Sequence, residues 1–170
     1  ISAKIVAHSK TDFAPDIYTV AVRYPRIVHS EAKTHRVLTI DGEEYEFIQD
    51  VSLMDDDDLN RNASSSRAVP IDTIIAQVLD DPAMPVAWGR NQSGMQAGAE
   101  IDDSDAAVRE WLRARDSAVE HARALAKLGL HKQIVNRVLE PFSHISVIIT
   151  ATEWTNFFDL RCHPAADPTM

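Results

Sequence analysis

Hydrophobic and polar positions change period several times along the chain. Lys4 to Ala7 and Ile17 to Val22 carry β-branched residues, and Thr11 to Pro15 between them has turn composition, which predicts a strand pair. Pro25 then opens a run of good helix formers, predicting a short helix with His35 and Arg36 at its end. Behind Pro70, the positions Ile71, Ile74, Ile75, Val78 and Leu79 recur at helical spacing. A longer helix is predicted from Ser104 as N-cap, with Val108, Trp111, Leu112, Arg115, Val119, Ala122 and Leu125 on one face and Gly129 as its stop. Another, about His131 to Leu139, ends before Pro141. The run His144 to Thr150 fits a buried strand or a buried helical turn, and periodicity does not choose between them. Thr152 is placed to cap a last short helix, Glu153 to Arg161, before Pro164 and Pro168 end regular structure.

Two segments lie outside this periodicity. From Thr39 to Leu59, acidic residues surround Tyr45, Phe47, Ile48 and Val51, and the stretch ends in the run Asp55 to Asp58, so it reads as a solvated surface excursion with a possible hairpin arm. A calcium loop fails there on spacing, since Asn60 or Arg61 stands where the sharp turn wants glycine and no glutamate closes the loop. Asp81 to Glu100, rich in glycine, proline and polar residues, reads as a long ordered loop. Strands and helices are segregated, without βαβ alternation or a Gly-rich dinucleotide fingerprint. The expected class is therefore α+β: a small mixed or antiparallel sheet packed with helices, in one domain over residues 1–170 with an inserted acidic segment at about 39–59.

Composition narrows the function. A chain of 170 residues with 45 % hydrophobic content has the size and apolar content for one core. It has no apolar run long enough to cross a bilayer and no signal-peptide pattern at Ile1 to Phe13, so a soluble, cytoplasmic protein with no membrane partner is expected. A single cysteine excludes an internal disulfide and a Cys-rich zinc site, and the seven histidines show no ligand spacing, so no metal is expected. A net charge of −9 argues against a nucleic-acid partner, but a small anion held by a few arginines stays open.

The stretch Asn62-Ala-Ser-Ser65-Ser66-Arg67 before a helix start suits such an anion. Backbone N–H groups and hydroxyls can converge on phosphate oxygens, the helix N-terminus adds partial positive charge, and arginine supplies a bidentate fork. A capped serine-rich loop is the plainer alternative. Arg137 and Arg161 lie on or beside largely apolar helices, where an arginine snorkels, pairs with a carboxylate or meets an anionic ligand. Asn156 and Arg161 diverge on one helix and could address different parts of a ligand. Cys162 is read as an inert small residue, and Trp88, Trp111 and Trp154 as core or interface anchors.

Several of these residues occur in an order that resembles a known family. Thr34-His35-Arg36, followed by Asn60-x-Asn62-x-x-Ser65-x-Arg67, resembles the RHRxxSxNxxSxR signature of flavin-dependent thymidylate synthases, interrupted after Leu38 by the acidic insertion. Gly129 to Pro141 is similar to that family's helix ending in an Arg-x-x-Leu-Pro type turn, and Thr150 to Arg161 to its segment with Asn-Phe-x-x-x-Arg. The wording around Pro25 to Glu31, Asn62 to Pro70 and Trp88 to Gly98 is most like a phage-type branch, for which host cytoplasm would be the location.

The resemblance implies transfer of a one-carbon unit from methylenetetrahydrofolate to C5 of dUMP, with FAD carrying electrons from NADPH. By position it implies that His35, Arg36, Asn62 and Asn156 contact the flavin, that Ser65, Ser66 and Arg67 hold the nucleotide, and that Arg137 contributes to its binding. Arg161 would orient the pyrimidine and stabilise negative charge developing on it, the catalytic role. It further implies a homotetramer whose sites combine several subunits. Two other functions stay open: a related pyrimidine-modifying enzyme, such as a hydroxymethylase, and an inactive nucleotide-binding or assembly protein.

Overall fold

β-Branched and aromatic residues make Ser2–Thr11 (β1) and Ala14–Pro25 (β2) an antiparallel hairpin, closed by a turn at Asp12 and Phe13. The structure, a computed structural model, describes residues 1–30, 52–53, 67–152 and 154–169. The strand pair read from the sequence is present, with both strands longer than their β-branched cores. Register shifts between Ile5 and Ala7 and between Ser9 and Thr11 bend β1, which lies at the sheet edge with every residue exposed. Such irregularities, together with Lys4 and Lys10, discourage a further strand from adding there.

The undecided run after Ser143 is a strand. His144–Ala151 (β4) buries Ile145, Val147, Ile149 and Ala151 in strict alternation and pairs antiparallel with β2 from Tyr18 opposite Ala151 to Pro25 opposite His144. Ser52–Leu53 (β3) pairs with β4 on its other edge, giving the order β1-β2-β4-β3. Part of the stretch expected as a surface excursion thus returns to the sheet, where β4 has free backbone donors and acceptors to satisfy.

A separate helical core carries the rest. Ile71–Asp80 (α1) and Ser104–Lys127 (α2) pack with Lys132–Val135 (α3) and with short 3-10 turns at Asn136–Val138 and Glu140–Phe142. Ile75, Val78, Val119, Ala122, Val135, Leu139 and Phe142 are buried together. Trp111 donates its indole N–H to the Ala83 carbonyl at 2.9 Å and meets Trp88 and Phe142 edge-on, so two of the tryptophans expected as anchors serve the core. The loop between α1 and α2 is ordered by pairing of Gly89 with Glu100. A Cβ on Gly89 would lie 2.5 Å from the Ala97 Cβ, so the close approach requires glycine.

Three boundaries differ from the sequence reading. Asp103, not Ser104, is the N-cap of α2, its carboxylate accepting from the Ala106 N–H at 2.8 Å. The helix expected over His131 to Leu139 breaks into one α-turn and 3-10 turns. Pro141, which has no N–H to donate, sits in the first turn of the second 3-10 element, and the buried Asn136 spends its amide on the Val69 carbonyl at 2.9 Å. Thr152 does not cap the last helix, which begins at Thr155 behind Trp154 without a side-chain cap.

The helical core meets the sheet where β2 ends and β4 begins. Arg23 donates to Asp81 at 2.7 Å, the Arg26 N–H to the Ser143 carbonyl at 2.9 Å, and the Ala83 N–H to the Phe142 carbonyl at 2.9 Å. Burial opposes ionisation of Asp81, but the Arg23 hydrogen bond and charge, with His144 nearby, hold its carboxyl below the usual range. Burial and then the Arg23 charge push the His144 imidazole below its ordinary value, so neutral His144 is the form the fold favours.

Two predictions follow from these contacts. Leu139 has no exposed surface, so Leu139→Ala should cost about 2–5 kcal/mol in urea unfolding, whereas Phe13→Ala, at a 97 % exposed position, should leave the midpoint unchanged. His144 contributes stability that is complete above its unfolded pKa and lost as pH falls through its depressed folded value. The urea midpoint should therefore drop between pH 7 and 5, and His144→Asn should flatten that slope. An equally steep slope in the variant would assign it to other groups.

Candidate functional site

After β4, Thr155–Arg161 (α4) forms a short helix whose aromatic residues fold it back over the sheet. Trp154 anchors it by donating its indole N–H to the Ala151 carbonyl at 3.1 Å and packs against the buried face of β4. Trp154, Phe157 and Phe158 make a cluster, with Trp154 and Phe158 stacked at 6.0 Å and Phe157 edge-on to both. The third tryptophan expected as an anchor therefore holds α4 in place.

Two of the sequence-selected residues lie on this helix. Asn156 and Arg161 are each half-buried, and the Asn156 Nδ2 and the Arg161 Nε are buried atoms without a hydrogen-bond partner among the described residues. A buried donor left unmade is costly, so each marks a place where an acceptor would restore a bond. Asn156 offers an amide to a carbonyl-type oxygen; Arg161 offers a cation and a fork to an oxygen-rich or anionic group. Cys162, the C-cap, is an exposed free thiol.

Arg67 and Arg137 are held by other elements. Both are exposed, and the segment carrying Arg67 is tied to the α3 region beside Arg137. Lys132 donates to the Ala68 carbonyl at 2.6 Å and Asn136 to that of Val69. Pro70 then starts α1. The sequence thus correctly placed Arg67 just before a helix start, and the fold brings that segment to the turn bearing Arg137. His35, Arg36, Asn62, Ser65 and Ser66 lie outside the described residues, as do the greater part of the acidic segment and its aspartate run.

Sequence reasoning missed a groove of about 750 Å³ on the sheet face beside α4. Its floor is built from Ala3, Ile5, Val20, Val22, Val147 and Ile149, and Trp154, Phe157 and Phe158 form one side. Tyr18, Tyr24, Val28 and His29 also line it. The Tyr24 hydroxyl and the His29 Nδ1 are hydrogen-bonded at 2.8 Å, and burial raises the Tyr24 phenol to about 12, so it stays neutral. The alternation of Tyr18, Val20, Val22 and Tyr24 along β2 was the available signal.

Neither a protein-family model nor a curated protein matches the chain. Solved structures do share its fold. A UMP/dUMP methylase PolB from Streptomyces cacaoi bound with 5-Br UMP superposes with a TM-score of 0.61 at 16 % identity, covering 98 % of this chain and 81 % of that one. The same methylase bound with 5-Br dUMP gives 0.53 at 19 % identity, covering 90 % of this chain and 59 % of that one. At these identities the likeness establishes the α+β fold.

Asn156→Ala separates a ligand-binding amide from a structural one. Because its Nδ2 has no partner, the substitution should leave the urea midpoint of the ligand-free protein unchanged or slightly raised. A loss of more than about 1 kcal/mol would mean that the side chain serves the fold.

Proposed function

We propose that this chain is a pyrimidine-nucleotide-modifying enzyme that transfers a one-carbon unit to C5 of dUMP, as a flavin-dependent thymidylate synthase. The observation that carries the reading is the pair of buried, partnerless donors on α4, Asn156 Nδ2 and Arg161 Nε, at the two positions that the family resemblance assigns to flavin and pyrimidine. The shared fold of a UMP/dUMP methylase supports the nucleotide class. In the reaction, the C5 of dUMP loses its proton and bonds to the methylene carbon of methylenetetrahydrofolate as that carbon's bonds to the folate nitrogens break and tetrahydrofolate leaves, and NADPH supplies the electron pair that takes the methylene to a methyl. FAD would carry that electron pair between donor and nucleotide.

The chain's own residues would divide the remaining work. Arg67 and Arg137 would fix the phosphate by charge-assisted hydrogen bonds, with Ser65 and Ser66 adding hydroxyl donors. Arg161 would hold the pyrimidine and stabilise negative charge that develops on the ring as C5 becomes nucleophilic, a role suited to a permanently protonated side chain. Asn156 would donate its amide to a carbonyl oxygen of the flavin, which its unmade bond fits, together with His35, Arg36 and Asn62. Cys162 has no part, since no protein nucleophile is needed. The proposed assembly is a homotetramer with sites shared between subunits.

The resemblance concerns dUMP, whereas the methylase that shares the fold is described for UMP and dUMP, so both nucleotides belong in the assay. Purified protein should take up FAD, and its visible absorption should shift on adding dUMP or UMP. A folded protein that binds no flavin but retains dUMP would favour the nucleotide-binding alternative. Arg67→Ala should weaken nucleotide binding by more than about tenfold in calorimetry, the loss of about 1.5–3 kcal/mol. Arg161→Ala should lower turnover by about a hundredfold or more, and unchanged turnover would remove that residue from the site.

A further inference from the structure

Arg67 and Arg137 come from segments far apart in sequence, and the bonds that bring those segments together are made by two other side chains. Lys132 opens α3 and Asn136 follows four residues later, a spacing that puts both on one side of the helical turn. Each donates to a backbone carbonyl, Lys132 Nζ to Ala68 at 2.6 Å and Asn136 Nδ2 to Val69 at 2.9 Å. The two acceptors are consecutive and follow Arg67 directly, while Asn136 directly precedes Arg137. The bonds span 64 and 67 positions, so they set a relation between the two arginine segments that no local interaction could set.

Asn136 has no exposed surface, whereas Arg67, Ala68 and Arg137 are exposed. A buried amide is costly unless hydrogen-bonded, and this one is directed at the main chain beside an arginine. The contact is therefore anchored between Val135 and Leu139 of the closed helical core, with the arginines at its solvent side. We propose that Lys132 and Asn136 are positioning residues: they clamp the Ala68–Val69 backbone to the α3 turn and thereby hold the Arg67 and Arg137 guanidinium groups ready for one phosphate. Lys132 acts through the main chain and not on the anion itself. This deepens the nucleotide reading and rests on its assignment of the phosphate to the two arginines. Arginine side chains lose rotamer freedom on binding, so a fixed backbone beneath them limits the ordering that an incoming anion must impose.

Calorimetry on the whole chain, with dUMP and separately with inorganic phosphate, tests the clamp. Lys132→Met keeps the aliphatic stem and removes the donor. With an unchanged urea midpoint it should weaken both ligands about fivefold or more, the effect of one lost hydrogen bond, and Lys132→Arg, which keeps a donor, should retain the wild-type affinity. In the Arg67→Ala background the same Lys132→Met change should cost less than about twofold, because the clamp then has little left to position. Asn136→Ala removes the buried donor, so both its affinity and its urea midpoint should fall. Lys127→Met, which takes a charge from the end of α2 instead, should leave the affinity unchanged. Full affinity in Lys132→Met, an equal loss in both backgrounds as a direct phosphate contact would give, or an equal loss in Lys127→Met would each overturn the proposal. Wild-type binding of dUMP that Lys132→Met leaves intact sinks the clamp and spares the nucleotide reading. Binding of phosphate without dUMP sinks that reading, and the clamp is then judged on phosphate alone. Binding of neither removes the anion seat, and the clamp with it.

Discussion

The eight-residue ladder between β2 and β4 is the constraint on which the remaining structure depends. It joins Tyr18–Pro25 to residues more than a hundred positions later, with the Thr19 and Thr150 hydroxyls in contact at 3.0 Å across it. Its register decides which side chains share a face: Val20 opposite Ile149 and Val22 opposite Val147. A slip of one residue would turn those side chains to the other face, removing both the buried row of β4 and the floor of the groove. The ladder also places the two sets of candidate residues. Its Pro25–His144 end meets the helical core that carries Arg67 and Arg137, and its Tyr18–Ala151 end releases the chain into α4 with Asn156 and Arg161.

Burial is divided unevenly around that ladder. The helical core is closed, with Val78, Val135 and Leu139 fully buried, whereas β1 is exposed throughout. A two-stranded hairpin is marginal in water, so β1 and the outer half of β2 depend on β4 for their order. The joint between the halves is polar: Arg23 with Asp81, Arg26 with Ser143, and His144 against Asp81. Because that joint is favoured by ionised Asp81 and neutral His144, protonation of either group weakens the contact between sheet and helices.

Legibility in the sequence followed the strength of local signals. The β1–β2 hairpin, α1 behind Pro70 and the long α2 before Gly129 were readable because β-branching, proline, a helical stripe and a glycine with φ of 80° act over neighbouring residues. His144–Thr150 was ambiguous because a short apolar run buries equally well in either form; only the partner β2 makes it a strand. Pairing of Ser52–Leu53 with β4 was invisible for the same reason: two residues carry no period. At the candidate site, Arg67 and Arg137 were named for their charge and Asn156 and Arg161 for their place on an apolar helix. Nothing local announced that the latter two would have buried, unmatched donors. The groove was missed because its lining is drawn from five separated segments, none of which carries a signal alone.

The central position of β4 also sets an order of events during synthesis. The α1–α2 pair is local and can form as soon as it leaves the ribosome, whereas the β1–β2 hairpin, marginal by itself, is held in place only once residue 151 has emerged and β4 joins the sheet. Until then the apolar row of β2 faces water, with Lys4, Lys10 and the irregular β1 as its protection against neighbouring nascent chains. A ribosome stalled before β4 would therefore hold a chain with a nearly complete helical core and an open sheet, the state in which a chaperone has most to cover.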